Sequence, residues 1–224
     1  MKPNTPKTKK ANSRKNQFPH DAIPRIARYL RILRYLRSKN FKVISSAHIT
    51  NRLNVTSEQF RKDLSYFGEF GKRGVGYDVN YLIGTLENIL GVNRDWPIAL
   101  VGVGRLGAAL LSYPGFAADN MRIAVAFDIN PKRIGRNYNG VPVKHIDSLK
   151  EEVQRRDIKI AMLCVQAEAS QEVADKMVEA GIKAILNFAP FSIKVRNNVL
   201  VSRVDMAAKL ESLIFFVNQQ KNNY

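Results

Sequence analysis

A glycine-rich segment near the middle of the chain has the spacing of a dinucleotide-binding turn. An apolar run, residues 98–101, leads into Gly102-Val103-Gly104-Arg105-Leu106-Gly107. Because the pattern Gly-x-Gly-x-x-Gly also occurs by chance, the flanking segments decide its meaning. A β-rich run precedes the glycines, and a helix-compatible segment, residues 105–113, follows them. In that context, Gly102 makes a tight turn, Gly104 lets the backbone approach a pyrophosphate, and Gly107 lets helix and strand pack closely. The sequence therefore predicts a nucleotide site rather than a merely structural turn.

An acidic residue ends the next predicted strand. Residues 123–127 are apolar and lead into Asp128, which lies 21 residues after Gly107. That separation is close to the roughly 20 residues expected for an acid that binds a ribose hydroxyl. The carboxylate would repel a 2′-phosphate, so the site should prefer NAD(H) to NADP(H), with Lys132 and Arg133 moderating the preference.

Positive charge is concentrated before the glycine turn. Residues 1–95 contain 19 Lys and Arg against 7 Asp and Glu, which gives +12 of the total net charge of +17. A basic surface of this kind binds polyanions through long-ranged, salt-sensitive electrostatics. Nucleic acid is the leading candidate partner.

Two short helices in this basic half predict a helix-turn-helix. The first covers residues 47–53 after the N-cap pair Ser45-Ser46, and the second covers residues 58–67 with Ser57 as its predicted N-cap. Glycines alternate with basic and aromatic residues over 71–79, which suits a β-hairpin wing. The winged-helix interpretation makes the second helix the recognition element, although an ordinary solvated face is the alternative for its cations. The predicted DNA-binding residues are Ser46, Arg61, Lys62, Ser65, Tyr66, Lys72, Arg73, Gly74 and Tyr77.

A longer helix, residues 24–40, precedes the helix-turn-helix and carries an arginine at every third position: 25, 28, 31, 34 and 37. A three-residue step falls short of a helical turn by about 60°. The arginines therefore wind around the helix, and we expect at least one of them to point at another part of the protein.

Strand and helix patterns alternate after the glycine turn. Strands are predicted at 123–128, 158–165, 183–188 and 198–202, with helices at 148–156 and 170–180. This alternation predicts an α/β domain with a Rossmann-like, doubly wound parallel sheet. The ligand crevice of such a sheet lies at the carboxyl ends of its strands, beside Asp128, the Val165-Gln166 turn and the Phe188-Ala189-Pro190 turn.

The C-terminal segment, residues 205–218, is predicted to be a helix with an unusually wide apolar surface. It packs either within its own subunit or against a second one. Asp205 is its expected N-cap. We divide the chain into a disordered basic arm (1–20), a winged-helix DNA-binding domain (21–80), a linker helix (81–95), a Rossmann domain (96–203) and a C-terminal dimerisation helix and tail (204–224).

Other composition features exclude several classes of protein. One cysteine, Cys164, rules out an intramolecular disulfide framework, and no apolar run approaches the roughly 20 residues of a membrane span. The N-terminus lacks the apolar core of a secretory signal. We expect a soluble, cytoplasmic protein, without a metal site because no Cys/His cluster has metal-ligand spacing.

Several motifs together resemble the Rex family of redox-sensing transcriptional repressors, from about residue 23 to residue 217. They are Arg61-Lys62-Asp63-Leu64-Ser65-Tyr66-Phe67-Gly68, Lys72-Arg73-Gly74-Val75-Gly76-Tyr77, the glycine turn followed by Tyr113-Pro114-Gly115-Phe116, Ala126-Phe127-Asp128, Gly181-Ile182-Lys183-Ala184-Ile185-Leu186-Asn187-Phe188 and Val204-Asp205. The resemblance implies a homodimer that binds a palindromic operator and exchanges its C-terminal helices. It also implies that NADH releases the DNA, whereas NAD+ competes weakly and favours the bound form.

The same resemblance implies roles for individual residues. The cofactor-binding residues would be Gly102, Val103, Gly104, Arg105, Leu106, Gly107, Asp128, Val165, Phe188 and Pro190. Near the nicotinamide, Tyr113 and Asp205, followed by Met206, would interact with Arg31 in one state only. The chain departs from the family pattern at Gln166, where proline is usual, and at Met206, where phenylalanine or leucine is common.

Two alternatives use the same motifs. A small NAD-dependent dehydrogenase needs an acid or base near the nicotinamide. The candidates are poor, because His20 lies beside the arm, His48 lies in the helix-turn-helix, His145 follows a short strand, and Cys164 lies in an apolar strand. The other alternative is a DNA-binding repressor whose Rossmann domain only scaffolds the dimer.

Overall fold

The computed structural model describes residues 19–71 and 74–221, and the chain divides into two compact units between Asn93 and Arg94. The predicted basic arm, residues 1–20, lies almost entirely outside the described residues, as do Lys72 and Arg73 of the predicted wing. Each unit has its own hydrophobic core.

The first unit has the elements of a winged helix. Its helices and strands are α1 (Ala22–Ser38), β1 (Val43–Ile44), α2 (Ser46–Thr50), α3 (Ser57–Ser65), β2 (Tyr77–Asp78) and α4 (Val79–Leu90). Apolar side chains recur at helical spacing on α1, where Ile26, Leu30 and Leu33 are buried against Phe60 of α3 and Leu82 of α4. The helices thus share one core, as amphipathic faces require.

The two short helices begin at side-chain caps. Ser45 is extended, and its hydroxyl accepts a hydrogen bond from the backbone N–H of His48, which starts α2. The predicted cap of α3 was wrong by one residue. Thr56 has the extended backbone and accepts from the Gln59 N–H at 3.0 Å, whereas Ser57 is the first helical residue. Either hydroxyl suits a cap, so the backbone conformation decides between them.

The wing strand pairs differently from the predicted local hairpin. β2 is antiparallel to β1, with Val43 opposite Asp78 and Ile44 opposite Tyr77. Gly76 has a φ of +102°, and a Cβ there would collide with the carbonyl of Ile44. The wing is therefore held by a strand that precedes the helix-turn-helix, a long-range pairing that the local glycine pattern does not reveal.

The segment interpreted as a linker helix is α4, and it packs within the first unit. Its buried residues, Val79, Leu82, Ile83 and Leu86, belong to the same core as α1. The helix ends at Gly91, which has left-handed backbone angles that suit glycine.

The second unit is a seven-stranded sheet within residues 94–221. Its elements are β3 (Trp96–Val101), α5 (Arg105–Leu111), β4 (Met121–Asp128), β5 (Asn137–Tyr138), β6 (Val141–His145), α6 (Leu149–Arg155), β7 (Ile160–Leu163), α7 (Ser170–Ala180), β8 (Ala184–Asn187), β9 (Leu200–Arg203) and α8 (Met206–Lys221). The strand order is β5-β6-β4-β3-β7-β8-β9, and all neighbours are parallel except β5 and β6. This confirms the doubly wound sheet. Its order reverses between β3 and β7, where such folds bind ligands.

The apolar run that precedes the glycine turn is buried on both faces of the sheet. Ala99 and Val101 join one core cluster, and Ile98 and Leu100 join the other. A central parallel strand covered by helices on both sides needs apolar residues at every position. The continuous run thus determines the central place of β3.

The last helix is unlike the others because its apolar side chains are exposed within one chain. Met206, Leu210, Leu213, Ile214, Phe215, Phe216 and Val217 are each between 52% and 62% exposed. This contiguous apolar surface requires another partner to bury it.

Candidate nucleotide site and nucleic-acid interface

Each glycine of the turn has the environment that its predicted role requires. Gly102 has a φ of +96°, and a Cβ there would lie 2.5 Å from the carbonyl oxygen of Cys164. A Cβ on Gly107 would overlap the carbonyl oxygen of Gly102, so α5 packs directly against the turn. Beside Gly104 no heavy atom lies within 4 Å of a Cβ position. The backbone is therefore accessible where a pyrophosphate would approach.

Asp128 is bound to the glycine turn itself. Its Oδ2 accepts hydrogen bonds from the Val103 N–H at 2.8 Å and from Arg133 Nη1 at 3.0 Å, while Oδ1 accepts from the Asn130 N–H at 2.8 Å. The side chain is only 7% exposed. A ribose hydroxyl can donate to the remaining lone pair of Oδ1, because each carboxylate oxygen accepts about two hydrogen bonds.

The environment of Asp128 keeps it ionised. Burial alone would raise the pKa of the carboxyl, but the Asn130 N–H, the Arg133 guanidinium and the Val103 N–H together hold that pKa below its ordinary value. Donors that bind only the charged form account for the direction. The acceptor needed for a ribose hydroxyl is thus present at neutral pH.

A crevice of about 410 Å³ lies beside these groups at the carboxyl ends of β3, β4 and β7. Of the predicted cofactor residues, Gly102, Gly104, Arg105, Asp128 and Val165 line it. Gln166 and Arg133 also line it, as do Ile129, Ala169 and Val173, to which the sequence pattern assigned no cofactor role. Ala169 directly precedes α7 and Val173 lies in its first turn. The doubly wound topology, which brings this helix to the crevice, is the signal that would have located both residues.

Other predicted cofactor residues lie outside the lining of this crevice. Val103 is buried and contributes its N–H to Asp128, while Leu106 is half-buried on α5. Phe188 packs with Cys164 in one core cluster, and Pro190 is exposed in the turn after β8.

A buried asparagine shapes that turn. The Asn187 side chain accepts from the Ala189 N–H at 2.8 Å and donates to the Phe191 carbonyl at 2.9 Å. It is fully buried, so its amide fixes the backbone around Phe188 and Pro190. A polar residue at the carboxyl end of an apolar strand is the sequence signal that points to it.

The predicted switch residues of the second unit have local partners within a single chain. Tyr113 is 56% exposed, and its ring packs edge-on against Phe116 at 4.9 Å. Asp205 caps α8 by accepting from the Ala208 N–H, and it also pairs with Arg203. Met206 is exposed at the start of the same helix. In the first unit, Arg31 is exposed on α1.

Four of the predicted DNA-binding residues line one groove of about 680 Å³ in the first unit. Its lining includes Ser46 of α2, Arg61 of α3, and Gly74 and Tyr77 of the wing. Arg61 Nη1 donates to Ser46 Oγ at 3.2 Å, which links the two helices of the helix-turn-helix. Lys62 and Ser65 are exposed on α3, and Tyr66 is half-buried at its end. Lys72 and Arg73 lie outside the described residues.

Tyr77 has a mixed environment. Its ring packs edge-on against Phe60 at 5.4 Å, and burial raises the pKa of its hydroxyl. It thus joins the wing to the core while also lining the groove.

No functional role was predicted for Asp63, which is fully buried on the recognition helix. It lies three residues after Phe60 and one before Leu64, both of which are buried. That spacing places Asp63 on the inner face of α3, and an acid at such a position is the signal that would have identified it.

Over the described part of the chain, no group of three or more His, Cys, Asp or Glu side chains is arranged to hold a metal ion. Within the same residues, no helix has the length and apolar character to cross a membrane.

Burial raises the pKa of the Cys164 thiol to about 12, which agrees with its interpretation as a core residue.

Two family models match the chain in the order of its units. The model for the putative DNA-binding protein N-terminus covers residues 17–65, and that for the CoA binding domain covers residues 93–191. Curated relatives named redox-sensing transcriptional repressor Rex match nearly the whole chain. The relative from Roseiflexus sp. (strain RS-1) is 41% identical over 94% of this chain and 96% of its own, and that from Thermus thermophilus is 45% identical over 92% and 96%.

Solved structures of the Rex-family repressor RSP have the same fold. RSP in complex with β-NAD+ and operator DNA matches with a TM-score of 0.85 and 34% identity, over 91% of this chain and 94% of that one. RSP in complex with β-NADH matches with a TM-score of 0.80 and 32% identity, over 91% and 95%. These relatives are named as repressors, which decides against the dehydrogenase alternative. The chain has a winged helix and a glycine turn that is hydrogen-bonded to Asp128, and it is 41% and 45% identical to these two relatives over nearly its whole length. It therefore belongs to the Rex family of redox-sensing transcriptional repressors.

Proposed function

We propose that this chain is a transcriptional repressor that senses the NADH/NAD+ ratio. As a homodimer it binds a palindromic operator in the cytoplasm and releases that operator when NADH is bound. The observation that carries the proposal is the presence, in one chain, of a basic winged helix and a crevice whose ionised carboxylate, Asp128, can accept a hydrogen bond from a ribose hydroxyl.

The DNA-binding role is supported by the groove between α2, α3 and the wing. Arg61 and Lys62 extend from the recognition helix, where guanidinium and ammonium groups bind base edges and phosphates. Lys72, Arg73 and Gly74 of the wing would contact the flanking backbone. Phosphate contacts would make binding weaken steeply with salt.

The cofactor role is supported by the fit of NAD(H) to the crevice. Gly104 leaves space for the pyrophosphate, and Asp128 accepts from the adenosine ribose. Val165, Phe188 and Pro190 would border the nicotinamide. A neutral, apolar pocket disfavours the positive ring of NAD+ more than the uncharged ring of NADH. Gln166 adds an amide at this place, so the ratio of the two affinities is the property most sensitive to it.

The homodimer is supported by α8. Its exposed apolar residues need a covering surface, and a second copy of the chain would supply one if the two C-terminal helices were exchanged. A two-fold dimer reads half-sites separated by a helical turn or a multiple of it.

The switch would work through Arg31, Tyr113 and Asp205, with Met206 beside them. These groups would interact in one state only, so that bound NADH favours the arrangement that cannot hold DNA. A ligand shifts such an equilibrium only by its differential affinity for the two states. A change from mostly bound to mostly free requires a ratio of up to about 10⁴.

The test is a fluorescence-anisotropy titration of the purified protein on an inverted-repeat operator at fixed salt. We expect nanomolar to micromolar binding without nucleotide, release by NADH, and little release by NAD+. Arg61→Ala with Lys62→Ala should abolish operator binding and preserve NADH binding, whereas Lys150→Ala, an exposed cation of the second unit, should change neither.

Two results would contradict the proposal. If saturating NADH leaves the operator bound, the protein is a repressor without the redox switch, and the Rossmann unit only scaffolds the dimer. If the double variant binds the operator as tightly as the natural sequence does, the DNA-binding surface does not include these two residues.

A further inference from the structure

The recognition helix carries a fully buried carboxylate directly after its two exposed cations. Asp63 receives two parallel hydrogen bonds from Arg25 of α1, from Nε to Oδ2 and from Nη2 to Oδ1, each 2.7 Å long. The Tyr29 hydroxyl, also on α1, donates to Oδ2 at 2.7 Å, and Gln59 Nε2 donates to Oδ1 at 2.7 Å. Both oxygens are therefore fully used inside the protein.

This arrangement is a costly way to join two helices. Burial alone would raise the pKa of Asp63, but the hydrogen bonds from Arg25, Tyr29 and Gln59 hold it below its ordinary value. A buried ion pair adds little net stability compared with apolar residues of similar volume, because both charges lose their hydration. What such a pair does add is orientation, since the planar guanidinium and the carboxylate fit together in one geometry.

The orientation matters because of where the neighbouring cations point. Successive residues of an α-helix are about 100° apart, so Arg61 projects on nearly the opposite side of α3 from Asp63, and Lys62 projects between them. Holding Asp63 inward fixes the rotation of α3 about its own axis. The direction of Arg61 toward the groove and the exposure of Lys62 beside it follow from that rotation.

We propose that Arg25, Tyr29 and Asp63 form a rotational clamp that sets how selectively the recognition helix reads its operator. The three are positioning residues, which contact no DNA. The clamp rests on the proposed DNA-binding function. It predicts an effect on discrimination between sequences, because bidentate base contacts tolerate little misorientation whereas phosphate contacts tolerate more.

The experiment compares two Arg→Lys substitutions on the same helix. Arg25→Lys keeps the positive charge but loses the paired donors to Asp63. Arg34→Lys is the matched control, because Arg34 donates through Nε and Nη2 to Glu87 of α4, away from the recognition helix. Each full-length variant is titrated with operator and with a random duplex of equal length, at several salt concentrations. Its melting temperature and NADH affinity are measured as well.

We expect Arg25→Lys to weaken operator binding about tenfold, as for one impaired base contact. Binding to random DNA and the salt slope should stay within about twofold, since the number of phosphate contacts is unchanged. Arg34→Lys should lower the melting temperature similarly but keep the ratio of specific to random binding. NADH affinity should be unchanged in both.

The clamp is overturned if Arg25→Lys preserves the specificity ratio, or if Arg34→Lys lowers that ratio equally. If Arg25→Lys does not fold, Tyr29→Phe decides by the same ratio, because it removes one donor to Asp63 and preserves the ring contact with Phe60 at 4.9 Å. If the natural protein does not distinguish operator from random DNA, the proposed function itself fails, and the clamp fails with it.

Discussion

Replacing Asp128 by alanine tests the nucleotide site most directly. The substitution removes the proposed acceptor for the ribose hydroxyl and three hydrogen bonds within the protein, those from Val103, Asn130 and Arg133. We expect a large loss of NADH affinity and a smaller loss of stability. Operator binding without nucleotide should stay within about twofold, because Asp128 lies in the second unit.

The magnitudes follow from these contacts. A hydrogen bond to a charged group contributes about 1.5–3 kcal/mol, which corresponds to a roughly 10- to 150-fold rise in the Kd for NADH. The buried N–H of Val103 loses its partner at a cost of about 1–3 kcal/mol in the free energy of unfolding. Part of the affinity loss will therefore come from a less ordered glycine turn.

The assays are an NADH fluorescence titration, operator anisotropy without nucleotide, and thermal denaturation. Lys132→Ala is the matched control, because its exposed side chain lies in the same loop. It should change the Kd for NADH less than about twofold. Equal loss of NADH and operator binding in the Asp128 variant would refute its assigned role, since the substitution would then act through general unfolding.

Two further predictions concern stability. Glu152 is buried and accepts hydrogen bonds from Lys144, Arg155 and Arg156, whose side chains are more exposed. Burial opposes the charge of Glu152, but these hydrogen bonds lower the pKa of its carboxyl from 4.5 to about 2. The charge of Glu152 therefore stabilises the protein fully above pH ~4.5, and this stabilisation is lost as the pH falls toward about 2. Glu152→Gln should lower the free energy of unfolding by about 1–3 kcal/mol at pH 7 and make it less dependent on pH in that range. An unchanged dependence of stability on pH would contradict this. Gly107→Ala should lower both the melting temperature and NADH affinity, because its Cβ overlaps the Gly102 carbonyl. The control is Gly84→Ala in α4, where the Cβ position has open space, and it should stabilise the protein by about 0.5–1 kcal/mol. An equal change of melting temperature in the two variants would refute the steric argument.

The glycine turn and its surroundings could be predicted because their information is local. The continuous apolar run of β3, the glycines and Asp128 follow from chain conformation and from burial on both faces of a parallel sheet. The end of the predicted helix 170–180 follows from Gly181, which takes the left-handed backbone angles that suit glycine. The winged helix was predicted from short helices and basic residues, although the choice of Thr56 as the cap of α3 depended on backbone conformation.

Contacts between distant residues were not predictable in this way. The spiral of arginines on α1 required an inward residue, but only the tertiary structure selected Arg25 and Arg34 and paired them with Asp63 and Glu87. Likewise, the wing strand β2 pairs with β1, which lies more than 30 residues earlier. The local sequence does not predict this pairing, because it depends on how the helices of the first unit pack around their core.

The sequence by itself determined the fold class, the order of the two units, the glycine turn and the position of Asp128 after the next strand. Tertiary structure decided which side chains hold those parts in place: Arg133 and the Val103 N–H on Asp128, and Arg25 and Tyr29 on Asp63. The physical reason is that propensity and periodicity depend on neighbours along the chain. A buried charge also depends on donors that are distant in the chain: the Val103 N–H lies 25 residues from Asp128, and Arg25 lies 38 residues from Asp63. Only the packed core specifies which distant donors those are.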